Sequence, residues 1–305
     1  MNLQSVNQEI NIPNRQGIRL YLKREDLLHP VVSGNKFRKL TYNLAFAKAC
    51  KKQTLLTFGG AYSNHIAATA AAGKLEGFNT IGIIRGEELG ENINETLQKN
   101  PTLNYAHSQG MQLEFINRTL YRSKEDANFL NDLKTRYPDA YIIPEGGTNE
   151  LAIKGCTEIL TQDDLEFDVV CCAMGTSGTI SGIMESSKSS QVILGFPALK
   201  GDFFKAEITK WTSRTNYNLI SDFHFGGYGR VTAELIDFIN DFKETHDILL
   251  DPVYTGKMLY GITQRIKAEY FPANSRILAI HTGGLQGIAG MNALCTKKGL
   301  PTINI

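Results

Sequence analysis

The chain has 305 residues, of which 42% are hydrophobic and 21% charged, so it is long enough for about two globular domains of ordinary composition. Its 32 Lys and Arg residues almost balance its 31 Asp and Glu residues, which leaves no basic excess for neutralising the phosphates of a nucleic acid. Residues 1–17 are polar and no apolar stretch reaches bilayer length, so we expect a cytoplasmic protein without a signal peptide or a membrane segment.

Short apolar or β-branched runs alternate with helical patterns along the chain. The predicted strands are residues 54–60, 80–86, 111–117, 140–147, 167–175, 192–199 and 276–284. Most of these runs end in glycine or proline, and near-continuous apolar strands that alternate with helices are typical of βαβ units. The pattern therefore predicts an α/β fold with mostly parallel, buried sheets.

Three of these strands run through glycines into helical segments. TFGG at 57–60 precedes an Ala-rich pattern, CCAMG at 171–175 precedes TSGTISGIM, and LAIHTGG at 278–284 precedes LQGIAGMNAL. Each junction alone could be a simple helix-start turn. Three together place helix N termini and loops at the carboxyl ends of strands, where open α/β sheets bind ligands. The sequence thus favours a ligand cleft at these ends.

The segment GTSGT, residues 175–179, could hold a phosphate through backbone N–H groups at a helix start. It matches neither the dinucleotide fingerprint, the Walker A motif nor the nucleophile elbow, so the interpretation as a plain turn stays open.

Lys36 directly precedes a helical pattern and, on local grounds alone, could be a solvated surface residue. His65 and His281 adjoin glycine junctions, but there is no HExxH motif, and we predict no metal site. The five cysteines show no CxxC spacing and are expected to be reduced thiols.

Six segments carry a family resemblance by their order and spacing. They are YLKREDLLHPVVSGNKFRKL, GGAYSNH, IPEGGTN, MGTSGTISG, DPVYTGKMLYG and HTGG. Together they resemble the 1-aminocyclopropane-1-carboxylate (ACC) deaminase and D-cysteine desulfhydrase family, whose members are fold-type-II pyridoxal 5'-phosphate (PLP) enzymes related to the tryptophan synthase β subunit. The similarity runs from about Tyr21 to Gly290.

The resemblance implies two open, twisted, mostly parallel sheets flanked by helices. Residues 1–39 and 148–305 would form a large PLP-binding domain, and residues 40–147 a small α/β domain, with PLP in the cleft between them. It also implies a homodimer that acts on a small amino acid, while charge and hydropathy, as noted above, predict no nucleic-acid or membrane partner.

The resemblance also implies roles for individual residues. Lys36 would hold PLP as a Schiff base and then act as the catalytic base. Asn64 would hydrogen-bond the ring hydroxyl oxygen of the cofactor, and Ser63 would bind the substrate carboxylate. Tyr228 and Tyr254 would face the substrate. The residues expected to bind the cofactor phosphate are Gly175, Thr176, Ser177, Gly178 and Thr179.

Two departures from the deaminase pattern bear on the reaction. ACC deaminases carry Glu after the DPVY tyrosine and Leu in HLGG, where this chain has Thr255 and Thr282. A hydroxyl beside the pyridine nitrogen of the cofactor leaves that nitrogen neutral, whereas a carboxylate holds it protonated and strengthens the electron sink. ACC has no α-hydrogen and needs the strong sink, while D-cysteine has an acidified α-proton and a good leaving group. The resemblance therefore favours β-elimination from D-cysteine to pyruvate, ammonia and sulfide.

Other interpretations stay open. ACC deamination, by ring opening to 2-oxobutanoate and ammonia, is the main alternative. A non-catalytic PLP-binding protein is opposed by the presence of Lys36, Ser63, Asn64 and both tyrosines, and an oxidoreductase by the missing dinucleotide fingerprint. Tyr62 stands where family members often carry Gln, so another small amino acid could be the substrate.

Overall fold

The computed structural model describes residues 5–305 of the chain. In chain order the strands are β1 (Asn7–Ile10), β2 (Arg19–Lys23), β3 (Thr54–Gly60), β4 (Asn79–Arg85), β5 (Met111–Ile116), β6 (Ala140–Ile143), β7 (Val169–Met174), β8 (Val192–Pro197), β9 (Tyr217–Leu219) and β10 (Arg276–Ile280). The α-helices are α1 (Asn35–Ala49), α2 (Asn64–Glu76), α3 (Ile93–Lys99), α4 (Pro101–Ser108), α5 (Arg118–Arg122), α6 (Ala127–Arg136), α7 (Glu150–Cys156), α8 (Gly178–Ser186), α9 (Phe204–Thr209), α10 (Ala233–His246), α11 (Thr255–Lys267) and α12 (Ile288–Lys297). Short 3-10 helices cover Glu25–Leu27, Glu87–Leu89, Glu145–Gly147, Gln162–Glu166 and Leu285–Gly287.

The chain forms two compact units. The larger unit combines the segment up to Arg38 with Ile153–Ile305, and the smaller unit is Lys39–Ala152. Among residues 5–305, none of the helices combines the length and the apolar character needed to cross a membrane.

The larger unit is built on a six-stranded sheet in the order β1-β2-β10-β7-β8-β9. Strand β1 pairs antiparallel with β2, and every other neighbouring pair is parallel. Alternate residues of the central strands enter two hydrophobic clusters, so that Cys171 belongs to one and Cys172 to the other. Both faces of this sheet are therefore covered, which explains why its central strands read as continuous apolar runs.

The smaller unit contains a parallel four-stranded sheet in the order β5-β4-β3-β6. The Ala-rich helix α2 packs closely against it, since a Cβ at Gly73 would lie only 2.1 Å from Cγ2 of Thr80 on β4. Gly77 ends α2 in the left-handed conformation with a φ of 78°, as glycine does at many helix C termini.

Chain order reverses once in each sheet. Strands β7, β8 and β9 run outward in one direction, whereas β10 returns to the other side of β7. In the smaller sheet β3, β4 and β5 run outward, whereas β6 returns to the other side of β3. Loops at the carboxyl ends of strands beside such a reversal are the usual ligand sites of open α/β sheets.

The predicted fold class is confirmed, and each of the seven predicted strands overlaps an observed strand. The prediction for residues 140–147 was wrong at its end: β6 stops at Ile143, because Pro144 has no N–H for the sheet and Gly146, with a φ of 68°, turns the chain into a 3-10 helix. Strands β1, β2 and β9 were not predicted. The edge strands β1 and β9 have four and three residues, which is too short for a periodic pattern.

Candidate active site

The segment before Lys36 lies against the loop after β10. Gly34 has a φ of 62°, and a Cβ at this position would lie 2.0 Å from the carbonyl oxygen of Thr282, so only glycine fits. The next backbone N–H, that of Asn35, donates to the same oxygen at 3.3 Å. Helix α1 begins at Asn35, so Lys36 is its second residue and does not precede the helix as predicted.

Asn35 joins three of the sequence motifs. Besides its backbone bond to Thr282, its side-chain Nδ2 donates to Oγ1 of Thr179 at 2.9 Å. Its Oδ1 accepts from Nζ of Lys36 at 3.4 Å. The lysine, the GTSGT segment and the HTGG segment therefore meet at one residue, Asn35, the first two at its side chain and the third at its backbone N–H. Sequence analysis did not assign Asn35 a role, and its place beside Lys36 was the only signal for one.

A buried ion pair fixes the first turn of α1. Arg38 donates through Nε and Nη2 to the two carboxylate oxygens of Glu25, each at 2.9 Å, and Glu25 is fully buried. The backbone of Glu25 also accepts from the N–H of Gly34 at 3.0 Å. These contacts tie the 3-10 helix after β2 to the start of α1 and so determine where Lys36 lies.

The GTSGT segment follows β7 and leads into α8, whose first helical residue is Gly178. The side-chain oxygen of Ser177 is buried and has no hydrogen-bond partner among residues 5–305. The ring of Tyr254 covers Gly175, since a Cβ at this glycine would lie 2.8 Å from the tyrosine hydroxyl oxygen. The segment thus combines N–H groups at a helix start with a buried hydroxyl that no described residue binds.

The HTGG segment is oriented by its histidine. Nδ1 of the fully buried His281 accepts from the N–H of Gly283 at 3.2 Å, so its ring proton lies on Nε2, which donates to the carbonyl of Leu249 at 2.8 Å. The hydroxyl of Thr282 forms no hydrogen bond with the described part of the chain. A 3-10 helix at Leu285–Gly287 follows, so α12 begins at Ile288 and not directly after HTGG as predicted.

Thr255 stabilises the turn that carries Tyr254. Its fully buried hydroxyl donates to Oδ1 of Asp251 at 2.8 Å and accepts from the Asp251 N–H at 3.0 Å. The Asp251 carboxylate also accepts from the backbone N–H groups of Val253, Tyr254 and Thr255. Burial raises the pKa of Asp251, and these hydrogen bonds oppose the rise. The predicted contact of Thr255 with the cofactor stays a prediction.

The two predicted substrate-facing tyrosines lie next to each other. The rings of Tyr228 and Tyr254 meet edge to face, with 6.2 Å between their centroids. Tyr228 is 51% exposed. The larger unit therefore contains Lys36, the GTSGT segment, Thr282 and both tyrosines.

Ser63 and Asn64 lie in the smaller unit, in the turn after β3. Ser63 caps helix α2, and its Oγ accepts from the N–H of Ile66 at 3.3 Å, while Asn64 is the first helical residue. Nε2 of the buried His65 lies 2.8 Å from Oγ1 of Thr57, and a Cβ at Gly147 would lie 2.9 Å from the His65 ring.

Lys39 also binds the loop after β6, through two hydrogen bonds. Its Nζ donates to the carbonyl of Gly146 at 3.0 Å and to Oγ1 of Thr148 at 2.9 Å. The loops after β3 and β6 therefore meet where the chain order of the smaller sheet reverses. No group of His, Cys, Asp and Glu side chains within residues 5–305 is arranged to hold a metal ion.

Comparisons with known proteins agree with this geometry. A family model described as pyridoxal-phosphate dependent enzyme matches residues 8–283. The chain is 32% identical to the bifunctional D-cysteine desulfhydrase/1-aminocyclopropane-1-carboxylate deaminase, mitochondrial, of Arabidopsis thaliana, over 91% of this chain and 74% of the relative. It is 27% identical to a D-cysteine desulfhydrase of Klebsiella pneumoniae, over 88% of this chain and 87% of the relative. The crystal structure of an ACC deaminase homologue superimposes with a TM-score of 0.77 at 26% identity, covering 95% of this chain and 94% of the other.

Proposed function

Because the chain belongs to the family of pyridoxal-phosphate dependent enzymes, we propose that it degrades a small amino acid by β-elimination, as a D-cysteine desulfhydrase does. The products would be pyruvate, ammonia and sulfide. The predicted family resemblance and the predicted cofactor, PLP, are confirmed by these comparisons. The observation that carries the proposal is the convergence of Lys36, Thr179 and Thr282 on Asn35.

The residues of the larger unit fit the cofactor. A phosphate group offers several acceptor oxygens, and the start of α8 offers N–H groups together with the buried, unpartnered hydroxyl of Ser177. We propose that Gly175, Thr176, Ser177, Gly178 and Thr179 hold the phosphate, and that the larger unit is the PLP-binding domain. No arginine or lysine side chain is needed for this contact.

Bound PLP supplies an aldehyde for the substrate amine and a ring that accepts electron density from the substrate Cα. Lys36 would hold the cofactor through Nζ and, once displaced by the substrate amine, take the proton from the substrate Cα. Oδ1 of Asn35, 3.4 Å from Nζ, would orient this amine. Ser63 uses its oxygen as the acceptor from Ile66, so its own O–H can donate to the substrate carboxylate. Asn64 would bind the ring hydroxyl oxygen.

The choice of reaction depends on the hydroxyl side chains. The Thr282 hydroxyl has no hydrogen bond within the described residues and could bind the ring nitrogen without holding a proton on it. Thr255 follows Tyr254 where a deaminase has Glu, and its hydroxyl is bonded to Asp251. Without a carboxylate at either position, removal of the acidified α-proton of D-cysteine is favoured over opening of the ACC ring, because ACC has no α-proton to remove. Tyr254 would position the substrate or the leaving sulfur.

ACC deamination is the second candidate. The observation that favours it is the superposition on the crystal structure of an ACC deaminase homologue, whereas the adjacent rings of Tyr228 and Tyr254 suit either reaction.

The test is a side-by-side measurement of kcat/KM for D-cysteine, L-cysteine and ACC with purified PLP-loaded protein, following sulfide and 2-oxo acid separately. We expect D-cysteine to exceed ACC by at least about tenfold, a difference of roughly 1.4 kcal/mol in activation free energy. Lys36→Ala is the inactive control, and borohydride reduction with peptide mapping should place the pyridoxyl group on Lys36. A preference for ACC would overturn the desulfhydrase proposal.

We further propose that the protein is a homodimer in the cytoplasm. The family resemblance supports the dimer. The buried free thiols of Cys171 and Cys295 suit a reducing compartment, and burial raises the pKa of both thiols.

A further inference from the structure

Lys257 is a buried cation that the proposed chemistry does not use. It lies in the first turn of α11 and is only 2% exposed. Its Nζ donates to two backbone carbonyls, those of His224 and Gly227, each at 2.9 Å. It forms no ion pair within residues 5–305. A buried ammonium is costly unless its hydrogens are bonded, and these two carbonyls accept two of its three hydrogens.

The charge on Lys257 persists at neutral pH. Burial lowers its pKa to about 8, and the nearby Asp251 carboxylate opposes the shift. The loop residue whose carbonyl it binds, His224, and the helix residue one turn further along α11, Tyr260, are themselves ionisable. Because a pKa of about 8 leaves most of the side chain protonated at pH 7, the amine can donate to both carbonyls as an ammonium.

The two carbonyls belong to the loop that carries Tyr228. Phe225, Gly226, Gly227 and Gly229 all have positive φ, at 53°, 91°, 114° and 65°. The loop contains no strand or α-helix, and a glycine-rich segment loses much conformational entropy when it is ordered. It therefore needs contacts from outside to keep one conformation. Lys257 supplies two of them, and the Phe225 ring packs edge to face against Tyr260 at 5.0 Å.

Helix α11 thereby fixes both tyrosines. Tyr254 is the N-cap residue of α11, and Tyr228 directly follows Gly227, whose carbonyl is bound by Lys257 in the first turn of the same helix. We propose that Lys257 is a positioning residue that holds Tyr228 edge to face with Tyr254. The inference rests on the proposed function in one respect, since it takes Tyr228 to face the substrate.

A purely structural lysine would behave differently on substitution. Met has a side chain of similar length and no charge, so Lys257→Met keeps the apolar packing of the buried stem and removes both hydrogen bonds to the loop. If Lys257 positions Tyr228, Lys257→Met keeps the protein folded but releases the loop. The loop should then become less ordered, while the free energy of unfolding of the whole protein changes little.

The loop is tested first without substrate. Arg230 is exposed at the end of the loop, so an arginine-specific protease can report its order in the PLP-loaded protein. We expect Lys257→Met to speed cleavage after Arg230 by about tenfold, because cleavage follows the population of the opened loop. Lys267→Met, at an exposed lysine of the same helix, is the matched control and should leave cleavage and activity unchanged. An unchanged cleavage rate in Lys257→Met overturns the proposal.

The coupling to Tyr228 is tested with a double-mutant cycle. The substrate is whichever of D-cysteine, L-cysteine and ACC gives the highest kcat/KM. On it, Lys257→Met should lower kcat/KM by about tenfold, and by much less when Tyr228→Ala is already present. Additive losses would mean that Lys257 does not act through Tyr228 and would also overturn the proposal. The proteolysis experiment needs no turnover, so failure of the desulfhydrase proposal would leave it interpretable.

Discussion

Two serines at the start of α8 use their hydroxyls differently. Ser181 donates through Oγ to the carbonyl of Ser177 at 2.9 Å, within the helix. Ser177 is buried as well, but its own hydroxyl has no partner among the described residues. A buried hydroxyl without a hydrogen bond costs about 1–3 kcal/mol. If GTSGT holds the cofactor phosphate as proposed, this cost would be recovered on binding, which makes Ser177 the most informative position in the segment.

We therefore expect Ser177→Ala to weaken PLP binding without weakening the apoprotein. Loss of a hydrogen bond to a charged group, about 1.5–3 kcal/mol, should raise the dissociation constant for PLP by roughly tenfold or more. The apoprotein loses no internal bond, so its melting temperature should stay the same or rise slightly. Titration of apoprotein with PLP, followed by absorbance, and thermal melts measure the two quantities.

Ser181→Ala is the matched control for this prediction. It removes a hydroxyl of the same helix whose bond is internal, so PLP affinity should be nearly unchanged. Equal affinities of Ser177→Ala and wild type would show that the hydroxyl of Ser177 does not reach the phosphate.

At the scale of elements, helix α1 is placed by side chains that are distant in the sequence. Arg38 is the fourth residue of the helix, and its partner Glu25 lies in the 3-10 helix after β2. A second carboxylate, that of Glu158, lies 3.7 Å from Nη1 of Arg38 but is 44% exposed. The two acidic residues thus offer a buried and a solvated partner to the same guanidinium.

We expect Glu25→Gln to destabilise the protein strongly. The substitution keeps the shape of the side chain but leaves the Arg38 charge buried without its main partner, which typically costs about 3–5 kcal/mol. Glu158→Gln should lower the free energy of unfolding by at most about 1 kcal/mol, because its ion pair is exposed and screened by water. Urea denaturation of both variants compares the two costs directly. Similar losses in the two variants would contradict the view that the Glu25 pair fixes the start of α1.

At the scale of the whole molecule, the homodimer proposed from the family resemblance predicts a solution mass of twice that of one chain. One chain has a mass of 33.8 kDa, so light scattering coupled to size-exclusion chromatography should give 2 × 33.8 kDa, about 68 kDa. On dilution, the measured mass should fall only when the protein concentration approaches the dissociation constant of the dimer. A mass of one chain at all concentrations would exclude the dimer.

The sequence by itself determined those features that depend on neighbouring residues. Continuous apolar runs such as VVCCAM predicted buried parallel strands, because a strand covered on both faces has no polar side to show. Glycine-containing junctions predicted the helices that follow β3 and β7, though not the 3-10 helix that precedes α12. The six ordered motifs indicated the PLP family, and through it the roles proposed for Lys36 and GTSGT.

Only the tertiary structure decided which of these segments meet. Strand β10 inserts between β2 and β7, although more than 100 residues separate it from either. This insertion brings the carbonyl of Thr282 to Asn35, and Asn35 in turn to Thr179, 144 residues further along the chain. The bonds from Lys257 to the carbonyls of His224 and Gly227 likewise join segments that are separated by 33 and 30 residues. Periodicity and local propensity act over a few residues, whereas these hydrogen bonds depend on the order of strands in a sheet, which is set by the packing of the complete core.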